Sequence, residues 1–218
     1  MEWGILFFVI LGLALGGIVL QATFAAQQWR RSIAAGDMNV LREAVANAMA
    51  AWQRQKPPRG FPPADWQGLM SVAVVAMDQR RCRVSMLVTP DIRVTDNQRR
   101  EVGRPIDVAR RVTVRMAERI LYEVPHVRFE EVQLDIYSSY VNAEGETQAN
   151  CILVTRVDRA GAAAAPWDTG DDADILATWD TLEGGANESL DPEIDALIAP
   201  EAQAAVLAAE ETLRRASR

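Results

Sequence analysis

The chain begins with an apolar run long enough to cross a membrane. Every residue from Ile5 to Leu20 is apolar or glycine. Trp3 and Trp29 flank the run, and the 26 helical steps between them span about 39 Å, close to a bilayer with its headgroup layers. Tryptophan favours both membrane interfaces. The pattern predicts a transmembrane anchor within residues 1–31, with Trp3 and Trp29 as interface anchors and the lipid bilayer as a partner.

A signal peptide and a buried core helix are the alternatives to this anchor. Thr23 and Ala25 are small residues that could precede a signal-peptide cleavage site, but Met1-Glu2 offers none of the lysine or arginine with which a signal peptide begins. A buried core helix is possible, although a run this long is rare in a small domain. Both features favour the membrane anchor.

Flanking charge predicts the orientation of this anchor. Only Glu2 and the α-amino group precede it, whereas Arg30 and Arg31 follow it. The positive-inside rule therefore predicts a single-pass protein of the cell membrane with its soluble part in the cytoplasm.

Gly12 and Gly16 lie four residues apart within the run. Small residues at this spacing let two helix backbones approach closely, so the pair predicts helix packing against another membrane subunit or a second copy. The alternative is that glycine is common in membrane helices and that the spacing carries no meaning.

Charge divides the chain into two unequal parts. The formal net charge is −7, but residues 160–218 contain 13 acids and three arginines, a net −10, whereas residues 1–159 carry a net +3. Hydrophobic residues make up 49% of the chain, too many for a wholly disordered protein. The overall acidity argues against nucleic acid as a partner.

The predicted soluble part begins with two short segments. Residues 32–55 contain two possible capping residues, Asp37 and Asn39, followed by apolar residues at helical spacing, which predicts a juxtamembrane amphipathic helix packed on the domain or on a partner. Residues 56–68 contain four prolines and are predicted to form an extended linker, with a ligand for a proline-binding module as the alternative.

Residues 69–159 are predicted to form a small α+β domain with the element order β-β-α-β-β. An apolar run, an alternating strand and a polar loop precede a helix that starts at Pro105, and two further strands follow it. The predicted ranges are strands over 70–77 and 82–88, a loop over 89–104, a helix over 105–122, and strands over 132–141 and 148–158.

The predicted helix carries a basic ridge. Arg111, Arg115 and Arg119 recur at four-residue spacing and share one face, opposite the apolar face that docks on the sheet. The ridge belongs to a basic patch, since residues 80–128 contain 12 arginines and six acids, and this patch could face anionic lipid, nucleic acid or acidic protein segments. The acidic tail of the same chain favours the third interpretation, with an ordinary solvated surface as the alternative.

The acidic tail is predicted to make contacts of its own. Residues 160–200 are acidic and irregular but contain isolated large apolar residues, which a purely solvating segment would lack. We expect this segment to wrap on the surface of a partner, and residues 201–218 to form a C-terminal helix. The predicted tail contacts are Asp168, Asp171, Asp172 and Trp179.

Sequence motifs give no catalytic, cofactor or metal residue. The only lysine lies in the proline-rich segment, so a P-loop is absent, and no Gly-x-Gly-x-x-Gly follows a strand. His126 is the only histidine and is expected to be an ordinary loop residue. Cys82 and Cys151 lie on predicted strands and are expected to be buried free thiols, with a disulfide as the alternative. The aspartates from Asp168 to Asp174 miss the EF-hand spacing.

These features predict a non-enzymatic, single-pass accessory subunit. Its helix, its α+β domain and its acidic tail would bind a larger membrane complex, of which an energy-transducing one is an example. A membrane-tethered sensor or scaffold that binds a small ligand or peptide is the alternative, and a deep pocket in the domain would favour it. A membrane-bound enzyme is the third hypothesis.

Overall fold

A computed structural model describes residues 16, 23, 27–33, 35–95, 98–141, 144–167, 170–185 and 189–200. Trp3, Gly12, Asp168, most of the proposed anchor and the whole predicted helix over 201–218 lie outside these residues. Within the described part of the chain, no helix is both long and apolar enough to cross a membrane.

The described residues form an α+β fold with a mixed sheet, which confirms the predicted α+β class. Five strands follow the order β1-β2-β5-β6-β7, with β2 and β5 parallel and the other neighbours antiparallel. The strands of this sheet are β1 (Ala73–Met77), β2 (Arg81–Val88), β5 (Glu131–Val141), β6 (Thr147–Asp158) and β7 (Asp180–Glu183). A separate hairpin pairs β3 (Asp91–Thr95) with β4 (Gln98–Gly103).

Helices cover one face of this sheet. They are α1 (Met38–Gln53), α2 (Pro63–Met70), α3 (Pro105–Glu118), α4 (Arg159–Ala164) and α5 (Asp172–Ala177). Residues 27–33 are also helical. The helix α3 continues as one π-helical turn over Arg119–Glu123. Arg159 donates hydrogen bonds to the carbonyl oxygens of Leu121 and Phe129 and so satisfies backbone acceptors where this turn ends.

Alternation along the strands builds the core between the sheet and α3. Cβ atoms alternate between the two faces of a strand, so every second residue of β2 and β5 points toward the helices. The buried residues on this helix side are Val84, Met86, Val88, Val132, Leu134, Ile136 and Leu153 from the sheet, with Val108, Val112 and Met116 from α3. The same core includes residues of α1, α2 and α5, and therefore reaches beyond residues 69–159.

The proline-rich segment is not wholly an extended linker, and this prediction was wrong at its carboxyl end. Pro63 starts α2, where the missing N–H is one that the first helical turn leaves unpaired in any case. Asp65 and Leu69 of this helix are buried. The first strand consequently begins at Ala73 rather than at Met70, which ends α2.

The predicted polar loop over residues 89–104 is also wrong, because this stretch contains the β3–β4 hairpin. The two strands pair antiparallel from Asp91 with Gly103 to Thr95 with Gln98. Alternating β-branched residues such as Ile92 and Val94 favour strands, but the arginines around them conceal the pattern.

The acidic tail is more regular than predicted and lies on its own domain. Residues 160–200 contain most of α4, all of α5 and the strand β7, which pairs with β6. After β7 the chain continues into a segment that we call the strap, residues 190–198. The strap lies on the sheet face opposite the helices, which we call the strap face, and hydrogen-bonds to Arg83 and Gln133 there.

Candidate functional site

A cleft of about 860 Å³ opens where the two parallel strands end. The carboxyl ends of β2 and β5 lie side by side, with Val88 paired to Ser138, and the amino end of α3 lies next to them. In sheets with parallel strands, ligands commonly bind beyond these carboxyl ends. The cleft also falls within the usual volume range of small-molecule sites.

The walls of the cleft combine apolar and polar groups. The β5–β6 hairpin supplies Ser138, Tyr140, Asn150 and Ile152, and α3 supplies Ile106. The hydroxyl of Tyr140 donates a hydrogen bond to the side-chain oxygen of Gln148 over 2.8 Å and so fixes the ring at the rim. An apolar wall with a few oriented polar groups can hold a ligand and select its orientation.

Two arginine–carboxylate pairs border this cleft. Arg110 donates to both carboxylate oxygens of Glu183, from Nε over 2.8 Å and from Nη2 over 2.6 Å. This hydrogen bonding lowers the pKa of Glu183 and outweighs the opposing effect of burial. Arg104 likewise donates to Asp107 and lowers the pKa of that carboxyl group. Arg104, Arg110 and Glu183 line the cleft itself, and Asp107 lies outside the lining, bound to Arg104, so each arginine at the cleft has a carboxylate partner.

The strap face holds a buried ionic cluster. Arg83 is 1% exposed, and its Nε donates to Asp135 Oδ2 over 2.7 Å. Its terminal nitrogens donate to both carboxylate oxygens of Glu193 in the strap, over 2.7 and 3.0 Å. They also donate to the carbonyl oxygens of Pro192 and Ile198. A buried arginine is tolerated because every edge of its guanidinium finds an acceptor.

Gln133 links this cluster to the backbone of the strap. Its amide nitrogen donates to Asp135 Oδ1 over 2.8 Å and to the carbonyl oxygen of Pro192 over 3.2 Å. Its amide oxygen accepts from the backbone N–H of Leu197 over 2.6 Å. Burial raises the pKa of Asp135, whereas the bonds from Gln133 and Arg83 oppose that rise.

The two cysteines are free and buried on opposite faces of the sheet, which confirms the prediction of free thiols. Cys82 belongs to the helix-side core. Cys151 pairs with Tyr137 on the strap face, and its carbonyl oxygen accepts a hydrogen bond from the N–H of Leu190 over 2.9 Å. Burial raises the pKa of each thiol to about 12, so neither is a reactive thiolate at neutral pH.

The three ridge arginines share one face of the helix, and each has a partner in α1, in α2 or in the segment just before α2; Arg115 is exposed, whereas Arg111 and Arg119 are partly buried. Arg111 donates to both oxygens of the buried Asp65, over 2.8 and 2.6 Å. Arg115 stacks on the ring of Phe61, and Arg119 stacks on the ring of Trp52. Aromatic rings and a buried carboxylate attract guanidinium groups, so these arginines join helices within the domain.

The other predicted residues occupy varied places. Asp171 precedes α5 as its N-cap residue and Asp172 lies in its first turn, where carboxylates favour a helix. Trp179 is buried, with its ring centre 5.8 Å from that of Trp167. Trp29 is partly buried against the core. Gly16 is helical and exposed, and no atom of the described residues lies within 4 Å of the position that a Cβ would take there.

His126 lies at the turn before β5 and is exposed. Its Nδ1 accepts a hydrogen bond from Arg30 Nε over 3.4 Å. Among the residues that the structure describes, no group of three or more histidine, cysteine or acidic side chains is arranged to hold a metal ion.

Sequence reasoning missed the charged residues that the fold brings together. Arg83, Gln133 and Asp135 alternate with apolar residues on their strands, a pattern typical of a solvent-exposed face. Arg110 and Glu183 are 73 positions apart. A tail rich in both acids and apolar residues is the one signal in the sequence that a second face of the sheet is covered.

No protein-family model, curated protein or solved structure matches this chain. Any proposal of function therefore depends on the geometry of the chain itself.

Proposed function

We propose that this protein is a membrane-tethered sensor or scaffold whose cleft binds a small ligand or a short peptide. The observation that carries this proposal is the cleft itself, at the carboxyl ends of two parallel strands and beside a helix amino end. Its apolar wall would bury the body of a ligand, while Ser138 and Asn150 would orient polar groups. The balanced charge of the two arginine pairs favours a neutral or zwitterionic ligand.

The apolar run near the amino terminus supplies the membrane anchor in this proposal. Trp29 and Ile33 pack against the core, so the helix that follows the run is docked on the domain. The domain would therefore sit close to the bilayer, on the cytoplasmic side that Arg30 and Arg31 indicate. In sealed, right-side-out vesicles we expect the domain to be protected from an added protease. After permeabilisation of the vesicles we expect the protease to digest it.

A ligand screen with two matched variants tests the binding proposal. Asn150→Trp places an indole ring in the cleft, whereas Ala149→Trp adds an indole ring at an exposed position next to it on β6. Ligand-observed NMR with a fragment library and a short-peptide library should yield compounds that bind the wild type and Ala149→Trp but not Asn150→Trp. A screen in which no compound separates the two variants would contradict the proposal.

The second candidate is a non-enzymatic accessory subunit of a larger membrane complex. Exposed apolar side chains near the carboxyl end of β2 and on the adjacent hairpin favour it, namely Leu87, Ile92 and Val102. Exposed apolar groups that lie near one another often mark protein contacts. Extraction in mild detergent followed by native mass spectrometry should then find the chain bound to other subunits. The double variant Leu87→Ser, Val102→Ser should dissociate the chain from those subunits.

A further inference from the structure

The strap is held by contacts that suit an acidic peptide with a turn over residues 192–195. Glu193 is the side chain of the strap that pairs with Arg83, and its carboxylate is bound at both oxygens. The other contacts reach the backbone: Arg81 donates to the carbonyl oxygen of Leu197 over 3.0 Å, and Arg156 donates to that of Asp195 over 2.6 Å. Together with Gln133, these donors would accept a segment that forms the same turn and so presents its carbonyl groups and one glutamate at these positions.

We propose that the strap face is a binding site for acidic peptide segments, and that the strap of a second copy of this chain can replace the chain's own strap there. The strap of a second copy fits this site because it has the same sequence and would make the same hydrogen bonds. The connection from β7 to the strap begins with Gly184-Gly185, and glycine adopts many backbone conformations. Such a connection can direct the strap to a second copy of the chain, as in domain swapping. This inference concerns the face opposite the helices and does not depend on the cleft.

The two cysteines distinguish opening of the strap from unfolding of the domain. Cys151 is 1% exposed on the strap face, beside the first residue of the strap. Cys82 is fully buried in the core on the other side of the sheet. Loss of the strap alone should expose Cys151 to a thiol reagent and leave Cys82 protected, whereas global unfolding should expose both.

Weakening the strap is the first step of the test. In the full chain, held in detergent micelles, Glu193→Gln removes the charge that Arg83 binds. Labelling of Cys151 should accelerate at least about tenfold, since a hydrogen bond between charged groups is lost, while labelling of Cys82 stays unchanged. Glu130→Gln removes an equal charge from an exposed pair with Arg80 and serves as the matched control. Unchanged Cys151 labelling in Glu193→Gln would overturn the role given to this glutamate.

Replacement of the strap in trans is the second step. A synthetic peptide with the sequence of residues 189–200, added to the Glu193→Gln chain, should slow Cys151 labelling toward the wild-type rate. The same peptide with glutamine in place of Glu193 should protect much less. Absence of protection by the wild-type peptide at millimolar concentration would overturn the binding site.

Full-length copies test the proposed occupant. The Glu193→Gln chain keeps the site but has a weakened strap, whereas an Arg83→Gln, Cys151→Ala chain keeps the strap but lacks the site and the reporter thiol. Mixing them should protect Cys151 of the first chain and produce a dimer by analytical ultracentrifugation. If the Arg83→Gln chain does not fold, the Glu193→Gln chain can be mixed with a Cys151→Ala chain instead. Protection by the peptide without protection by any full-length copy would overturn the second copy as occupant.

Discussion

The two faces of the five-stranded sheet are buried by different means. On the helix side, alternating Val, Leu, Ile and Met residues pack against α3, and the attraction is nondirectional. On the strap face, Arg83, Asp135 and Gln133 are just as inaccessible, but each depends on hydrogen bonds of defined geometry. A substitution on the helix side lowers stability in proportion to the apolar volume that is lost. A substitution on the strap face that removes one member of an ion pair leaves the other charge buried without a partner.

The largest expected effect is the loss of Arg83. Arg83→Met should lower the free energy of unfolding by about 3–5 kcal/mol, because the Asp135 carboxylate stays buried without its cation. The double variant Arg83→Met, Asp135→Leu should recover the part of that loss that comes from the unpaired Asp135 charge, but not the part that comes from the strap acceptors that Arg83 binds. Urea unfolding of the three proteins measures both effects. A double variant no more stable than the single one would show that the ion pair itself is required.

Truncation on the helix side comes next. Leu134 is fully buried next to Asp135 in sequence but on the other face. Leu134→Ala should destabilise the domain by about 3 kcal/mol through lost burial and the cavity that remains. Leu182→Ala on β7, where the side chain is 59% exposed, is the matched control and should change stability by less than about 0.5 kcal/mol. Equal losses in the two leucine variants would contradict the assignment of the core to the helix side.

A smaller effect is expected where β7 joins the sheet. The hydroxyl oxygens of Thr155 and Thr181 lie 2.6 Å apart, and Thr155 is fully buried. Thr181→Val should cost about 1–2 kcal/mol in thermal or urea unfolding, because the Thr155 hydroxyl loses its partner. Replacing both threonines with valine should be nearly neutral. A double variant that is less stable than Thr181→Val would argue against this hydrogen bond as the cause.

The smallest effect is an acid dependence from the edge of the cleft. Arg110 lowers the pKa of Glu183 below its ordinary value of 4.5 in the folded protein. The unfolded chain therefore binds the proton first, and this contribution to stability is present above about pH 4.5 and is lost as the pH falls through the folded pKa. Glu183→Gln should remove this part of the profile. Unfolding measured from about pH 3 to pH 7 in both proteins tests it, and identical pH slopes would contradict it.

Much of the sheet and its main helix could be predicted because their apolar residues follow a local period. The apolar side chains of β2 alternate from Cys82 to Val88, and those of α3 recur from Val108 to Met116 at helical spacing. The strands β5 and β6 follow the same logic. Their turn, with Gly145 at a positive φ of 81°, is also predictable from its residues.

The rest could not be predicted because distant residues determine it. The strap has no period of its own, and its position depends on Arg83 and Gln133, which a local pattern assigns to solvent. The ridge arginines have a regular helical spacing, but only the fold shows Asp65 and Phe61 opposite them. Nor can a local period reveal the cleft, since the start of α3, the β5–β6 hairpin and the end of β7 come together to form it.

The distance along the chain between Arg83 and Glu193 has a consequence for protein synthesis. The two residues are 110 positions apart, and a ribosome adds roughly 5–20 residues each second. The sheet strands that carry Arg83 and Asp135 are therefore made several seconds before the strap. During that interval Asp135 is the sole acid of this cluster available to the arginine, and a nascent chain would present the strap face uncovered to whatever lies near it.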